Sequence, residues 1–396
     1  MKIIFTIALL LGAACPAQDA ATLAAREANE HAFELFQLFR QMTKGNFCFS
    51  PYSGHRVAAM LAEGAKGETQ KELIAMAHLT TDAAKRAAHA SALREELGKG
   101  AGRGLLLQVA NSIWAPDSVA FVPAYLTSAT EQFGASAHTL PSRDEVGSAA
   151  LVNHWIREKT RGRIGSLVGP SSFVDGGSTV LLVNAVYLKA SWESPFEIAR
   201  TKPATFTQSA GHASLLPMMR QRGGFVYGDS ESWQCLEMPF KGGEFVMRCL
   251  LPRTESVRSS IEGKLNPDTW HKTGLALLNC DVNIMLPRFG FSTQLDLKGL
   301  WQTLGAKRVF DRDQADLTAM SLQWPASVRE VLHEATIEVN EVGAEAAAAT
   351  AAAADPFGEA PAGRRKVSFI ANHPFLWTIE HRRTGLILFM GRFAGE

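Results

Sequence analysis

The chain has 396 residues, of which 46% are hydrophobic and 20% charged, and a formal net charge of +1. Such a composition supports a sizeable packed core, in one large domain or two ordinary ones, and excludes intrinsic disorder. The near-neutral balance removes the electrostatic basis of general nucleic-acid binding.

The first twenty residues, MKIIFTIALLLGAACPAQDA, carry one lysine, an apolar run from Ile3 to Leu11 and then small residues. This is the pattern of a signal peptide, with cleavage expected after Ala17. The run is too short to span a bilayer, and no later segment is apolar and long enough to do so. The expected location is secreted and extracellular, or periplasmic or cell-surface in a bacterium. Gly12-Ala13-Ala14-Cys15 resembles a weak lipobox but lacks the apolar residue three positions before the cysteine.

Residues 22–45 place Ala28, Ala32, Leu35 and Phe39 at helical spacing. NFCFSPYSGHRVAAMLAEGAKGET reads as a short strand, a Ser-Pro turn and an apolar helix ending near Gly64. Residues 79–103 hold Lys85, Arg86, Arg94, Lys99 and Arg103 among Asp82, Glu95 and Glu96, which reads as a solvated mixed-charge face rather than a polyanion site. LLLQVANSIWA and STVLLVNAVYLKASW are strand-like, and the helix of DEVGSAALVNHWIREKTRGRIGSLV is expected to stop at Gly162. A hairpin is expected over Cys235–Pro252 with KGGE as its turn. Further strands lie in NIMLPRFGFSTQLDL and EATIEVNEVG, and a second hairpin turns around Arg382-Arg383-Thr384-Gly385. Strands and helices alternate without a βαβ rhythm, so the fold class is α+β.

Beyond the leader remain Cys48, Cys235, Cys249 and Cys280, each in an apolar or strand-like context. Their even number permits two bridges. A chain this large needs no staples, so four buried thiols are the favoured reading. Catalytic patterns are missing: His333-Glu334 lacks the second histidine of a zinc-protease helix, GAKGET lacks phosphate-loop spacing, and no GxSxG elbow occurs. No enzyme activity, metal or cofactor is expected.

The most unusual stretch is EVGAEAAAATAAAADPFGE, in which nine of the eleven residues from Ala344 to Ala354 are alanine. As a helix it would be only about three turns long, with no apolar stripe, and marginal in water. As a linker it would join nothing, because the last segment is strand-like. As a latent strand it makes sense: Ala344, Ala346, Ala348, Thr350, Ala352 and Ala354 would share one face, all small enough to enter a packed layer. Gly343 would supply a backbone pivot.

NFCFSPYSGHRVAAMLAEGAKGET, VLLVNAVYLKASWESPF, VLHEATIEVNEVGAEAAAAT and NHPFLWTIEHRRTGLILFMGRF occur in the order of the serpin family's motifs, and the chain resembles a serpin over essentially its whole mature length. The resemblance implies a single domain over residues 18–396, with three β-sheets, about nine helices and an exposed reactive loop at about 341–366. It implies a monomeric suicide-substrate inhibitor whose partner is a serine protease. The protease attacks a bait bond, and the cut loop enters the large sheet before the acyl-enzyme hydrolyses. Glu341, Gly343, Ala344, Glu345, Ala346, Ala347, Ala348, Ala349 and Thr350 match the hinge of inhibitory members. Ser50, Ser53, Asn184 and His333 match the polar shutter beneath the sheet opening, and Trp192, Arg288 and Glu341 match the breach where the loop enters. Counting seventeen positions from Glu341 inclusive gives the scissile bond Phe357-Gly358, suited to chymotrypsin-like enzymes. Ala353 or Ala354, read by an elastase, and the arginines of GRRK are the alternatives. The competing function is a non-inhibitory serpin acting as carrier or chaperone, disfavoured because the hinge has no proline or bulky residue before Asp355.

Overall fold

A computed structural model describes residues 16–99, 105–141, 144–173, 179–209, 211–322, 326–344 and 363–395. The chain runs through α1 (Pro16–Met42), β1 (Phe47–Phe49), α2 (Pro51–Gly64), α3 (Gly67–Met76), α4 (Ala83–Lys99), β2 (Leu105–Pro116), α5 (Pro123–Phe133), β3 (Ala135–Leu140) and α6 (Glu145–Lys159). It continues through β4 (Thr179–Ser191), β5 (Lys202–Thr207), β6 (Ala213–Asp229), β7 (Trp233–Pro239), β8 (Phe245–Pro252), α7 (Glu255–Lys264), α8 (Pro267–Leu275), β9 (Leu278–Pro287) and β10 (Phe289–Asp296). It closes with α9 (Lys298–Thr303), β11 (Ser327–Val339), β12 (Gly343–Ala344), β13 (Lys366–Ile370), β14 (Phe375–His381) and β15 (Leu386–Phe393).

The class is α+β, with nine α-helices among the described residues. The strands form two hydrogen-bonded networks rather than three separate sheets. One has the order β1-β15-β14-β8-β7-β6-β9-β13, with β5 added on β6; the other runs β10-β11-β12-β4-β2-β3. The fusion has a simple cause: β6 is 17 residues long and pairs with β5 at its start and β7 at its end, so two sheets share one continuous strand.

Local chemistry explains most element ends. Ser50 caps α2 by accepting from the Ser53 amide, and Pro51 occupies the first helical position, where no donor is lost. The KGGE turn between β7 and β8 uses Gly242 at φ 93° and Gly243 at φ 73°, a left-handed backbone that favours glycine. The helix expected to stop at Gly162 ends at Lys159: Arg161, at φ 53°, already leaves the right-handed region before Gly162 follows at φ 78°.

The central strands of the six-stranded sheet are buried on both faces. Leu181, Val183, Ala185 and Leu332 pack with Val152 and Ile156 of α6, while Val186, Leu188, Ala335 and Ile337 turn into the main core. All four cysteines are free and buried. Cys235 opposes Leu250 and Cys249 opposes Leu236, so the two thiols lie on opposite faces of the sheet and cannot bridge. Burial pushes the Cys48 and Cys235 thiols up to about 12, which leaves them unreactive.

Candidate functional site

The centre of interest is the line along which β11 and β4 run parallel. They pair directly from Ser327 opposite Thr179 to Thr336 opposite Tyr187. Above Thr336 they part, and β12 sits between them, antiparallel to both: Ala344 opposes Val339 on one side and Ala190 on the other, and Gly343 opposes Ser191. Ala344 is fully buried. The alanine tract thus starts as the tip of an extra strand.

Gly343 is needed here for closeness. A Cβ on it would lie 1.9 Å from the Ala190 carbonyl oxygen and 2.7 Å from the Ser191 Cα, both backbone atoms of β4. Its φ is not positive, so in this conformation close approach, and not a left-handed backbone, is what requires glycine. Asn340, which sequence reasoning passed over, builds the turn before it. Its side-chain oxygen accepts from the amides of Val342 at 3.0 Å and Gly343 at 3.2 Å, and its own amide donates to the Gly343 carbonyl at 2.9 Å. An Asn at the start of such a turn is the signal that could have found it.

Trp192 and Glu341 fasten the entrance. Trp192 stacks on Phe240 at 4.5 Å, its indole N–H donates to the Asn340 carbonyl at 2.9 Å, and its amide donates to the Val342 carbonyl at 2.8 Å. Arg288 donates to Glu341 Oε1 at 2.5 Å, and the Thr201 hydroxyl donates to the same oxygen at 2.6 Å. Burial alone would raise the Glu341 carboxyl, but the hydrogen bonds from Arg288 and Thr201 outweigh it, so its pKa is lowered.

Lower on the same line, Ser50, Ser53, Asn184 and His333 meet, all of them buried. The Ser50 amide donates to His333 Nε2 at 3.1 Å, which fixes the proton on Nδ1. Nδ1 donates to Asn184 Oδ1 at 2.5 Å. The Asn184 amide group then donates to Ser53 Oγ and to Asn111 Oδ1, the latter at 2.5 Å. The Ser50 hydroxyl donates to the Leu388 carbonyl at 2.6 Å, which ties the cluster to β15. Asn111 was not foreseen: it opposes Asn184 on β2 and extends the network over a third strand. Its strand context alone does not distinguish it from a surface asparagine. Burial pushes His333 down to about 3, so it is neutral.

Glu345, Ala346, Ala347, Ala348, Ala349, Thr350, Phe357 and Gly358 lie outside the described residues, as does the expected leader up to Cys15. The chain returns at Gly363. Arg365 is held down: its guanidinium donates to both Asp229 oxygens at 2.9 and 3.1 Å, and its carbonyl accepts from the Asp281 amide at 2.9 Å. On α4, Arg86 pairs with Glu63 at 2.7 Å, Lys99 with Glu96 at 2.6 Å, and Arg94 donates to the Glu131 carbonyl; the charges are mixed as expected, but Arg86 and Glu96 are buried rather than solvated. Among the described residues no helix is long and apolar enough to cross a membrane, and no group of three or more His, Cys, Asp or Glu could hold a metal.

Residues 26–395 match the family model described as "Serpin (serine protease inhibitor)". The chain is 33% identical to leukocyte elastase inhibitor of Sus scrofa over 92% of its own length and 97% of that protein's. It is 31% identical to neuroserpin of Mus musculus, over 88% of this chain and 85% of that one. Among solved structures, native protease nexin-1 with heparin superposes with a TM-score of 0.84 at 25% identity, covering 95% of this chain and 100% of that one. Human thyroxine-binding globulin complexed with thyroxine superposes with 0.83 at 20% identity, covering 94% and 98%, a likeness of fold alone.

Proposed function

The chain belongs to the serpin family, and we propose that it is a secreted suicide-substrate inhibitor of serine proteases with a chymotrypsin-like preference. The observation that carries this reading is the seat of Gly343 and Ala344 between β11 and β4. A chain that starts into a sheet between two parallel strands has a ready path for the rest of its length. Continued without a bulge, each further loop residue steps one place back along both β4 and β11. Ala346 would then oppose Leu188 and Ile337, Ala348 would oppose Val186 and Ala335, and Thr350 would oppose Asn184 and His333. These neighbours face the main core, and only small residues can join them without displacing packed atoms.

In the proposed reaction the serine hydroxyl of the protease attacks the Phe357 carbonyl. An ester forms, the amide bond to Gly358 breaks, and the Gly358 amine leaves. Insertion from Gly343 to Phe357, at about 3.3 Å per residue, carries the ester on the order of 50 Å along the sheet. Each new backbone hydrogen bond contributes about 1 kcal/mol net. Trapping succeeds when insertion outruns hydrolysis of the ester. The serpin side supplies bait and motion, and no catalytic group of its own is used.

Phe357 suits the deep apolar pocket of chymotrypsin-like enzymes. The relationship to proteins named leukocyte elastase inhibitor supports protease inhibition as the class of activity, and cutting at Ala353 or Ala354 would suit an elastase. The clamping of Arg365 weighs against cutting in GRRK, because a protease binds its substrate extended and unpaired. Export is supported by residues 1–17. The test is incubation with chymotrypsin: an SDS-stable complex and a released fragment beginning at Gly358 are expected. Complete cleavage without any complex would contradict the reading.

A further inference from the structure

Where the chain rejoins the nine-stranded sheet, that sheet carries a basic outer face. β9 lies between β13 and β6, parallel to the first and antiparallel to the second. Phe369, Ile284 and Met219 point into the core. The alternation of a pleated sheet therefore turns Lys366, Asp281, Arg220 and Arg222 outward. Lys366, Arg220 and Arg222 are exposed. Lys366 opposes Asp281, and Arg222 grips Asp281 with two hydrogen bonds of 3.0 and 2.6 Å. Arg364 completes the group from the segment before β13: its guanidinium lies against Gly224, where a Cβ would come within 2.2 Å of Nη1. The absence of a side chain at Gly224 is what admits it.

Arg222, Lys366 and Arg364 thus surround one carboxylate, with Arg220 further along the same face, on a chain whose formal net charge is only +1, and Arg220 and Lys366 make no ion pair with a described residue. The face is close in sequence to the proposed bait. Lys366 is nine residues beyond Phe357, at most about 30 Å of extended chain, about the diameter of a small domain. A protease seated on the bait bond would be within reach of it.

We propose that this face is a second contact surface for the target protease, and that it recognises a carboxylate-rich patch on the side of the protease cleft that receives residues after the scissile bond. The proposal rests on the inhibitory reading above and adds the charge of the partner. Arginine forks suit carboxylates, because each can donate two parallel hydrogen bonds. Such a surface accelerates encounter and suppresses wrong partners, and its effect weakens with salt. It does not alter loop insertion, which follows encounter.

The test uses the full chain with Arg220→Ser and Lys366→Ser combined. The probes are a chymotrypsin-like protease with a carboxylate-rich loop beside its cleft, and the same enzyme with those carboxylates changed to amides. Association rate constants are measured at about 50 and about 300 mM salt, alongside the ratio of SDS-stable complex to cleaved chain. For the acidic protease the double variant should associate about tenfold more slowly at low salt and lose its salt dependence. The amide protease should not distinguish the two chains, and the complex ratio should be unchanged. Equal rates for both chains with the acidic protease, complex still forming, would overturn this proposal alone. No complex from the wild-type chain would overturn the inhibitory reading and this proposal with it. If inorganic polyphosphate binds the wild type but not the double variant while protease rates stay equal, the face serves a polyanion and the proposal fails.

Discussion

His333 on β11 stands directly opposite Asn184 on β4, and the 2.5 Å hydrogen bond between their side chains is a polar latch across the line where the two strands pair. Its direction is fixed from end to end, because the Ser50 amide occupies Nε2 and both Asn184 N–H groups are committed to Ser53 and Asn111. A strand passing between β11 and β4 must break this contact and replace it.

The register set by Gly343 and Ala344 assigns the replacement to Thr350, whose hydroxyl can accept from His333 Nδ1 and donate to Asn184 Oδ1. Thr350→Val should leave the uncut chain within about 0.5 kcal/mol of wild type. In the cut chain two buried polar groups would be left unmatched, at about 1–3 kcal/mol. Calorimetry before and after cleavage should show a smaller gain in melting temperature for the variant. An undiminished gain would place some other residue at the latch.

Acid should loosen the native state. Burial pushes His333 and His31 down to about 3 and His55 to about 4. In the unfolded chain each would titrate near 6.5, so between these values the unfolded chain binds more protons. The stability they contribute is complete above about pH 6.5 and is lost as pH falls towards 3, at about 1.4 kcal/mol per pH unit for each histidine. Urea midpoints should fall markedly from pH 7 to pH 5, and His333→Gln should remove its share of that slope. A slope unchanged by the substitution would contradict the assignment.

Gly343→Ala is a small change with an expected large effect, since the new Cβ meets the backbone of β4 and not a movable side chain. The tip of the loop should lift out of the sheet, at about 1–3 kcal/mol. A lower melting temperature and a higher share of cleaved, uncomplexed chain are expected. Wild-type values for both would show that the close approach is relieved without consequence.

Much of this architecture was legible in advance, for identifiable reasons. The hairpin at KGGE and the Ser-Pro turn leading into α2 follow from chemistry confined to a few neighbouring residues. The α+β class follows from the order of patterns. What could not be read depends on contacts between distant segments. Gly343 signalled flexibility, yet its necessity comes from Ala190 on another strand. Asn111 is polar on a strand, and only the fold places it against Asn184. The fusion of sheets through β6 reflects strand length and pairing that alternation alone does not set.

Glu341→Lys should weaken the entrance. It replaces a carboxylate that accepts from Arg288 and Thr201 with a cation beside Arg288, at a site where Glu341 is only 4% exposed. The cost should be about 1–3 kcal/mol, tempered by the exposure of Arg288. Mild heating should then open the sheet to a second molecule's loop, seen as polymers on a native gel, and Arg288→Glu in the same chain should partly reverse it. A variant that stays monomeric with wild-type inhibition would separate this pair from sheet opening.

Insertion of the alanine tract is tested most directly by cutting the loop near Phe357 and comparing thermal unfolding before and after. The cut wild-type chain should unfold at a much higher temperature, because a full-length strand would then fill the sheet that Gly343 and Ala344 only begin to enter. Ala348→Glu should leave the uncut melting temperature unchanged. After cutting it should show little gain, since its carboxylate would have to be buried beside Val186 and Ala335 at several kcal/mol. A cut wild-type chain that melts where the uncut one does, or an Ala348→Glu variant that gains stability and traps chymotrypsin as well as wild type, would show that the tract does not enter the sheet.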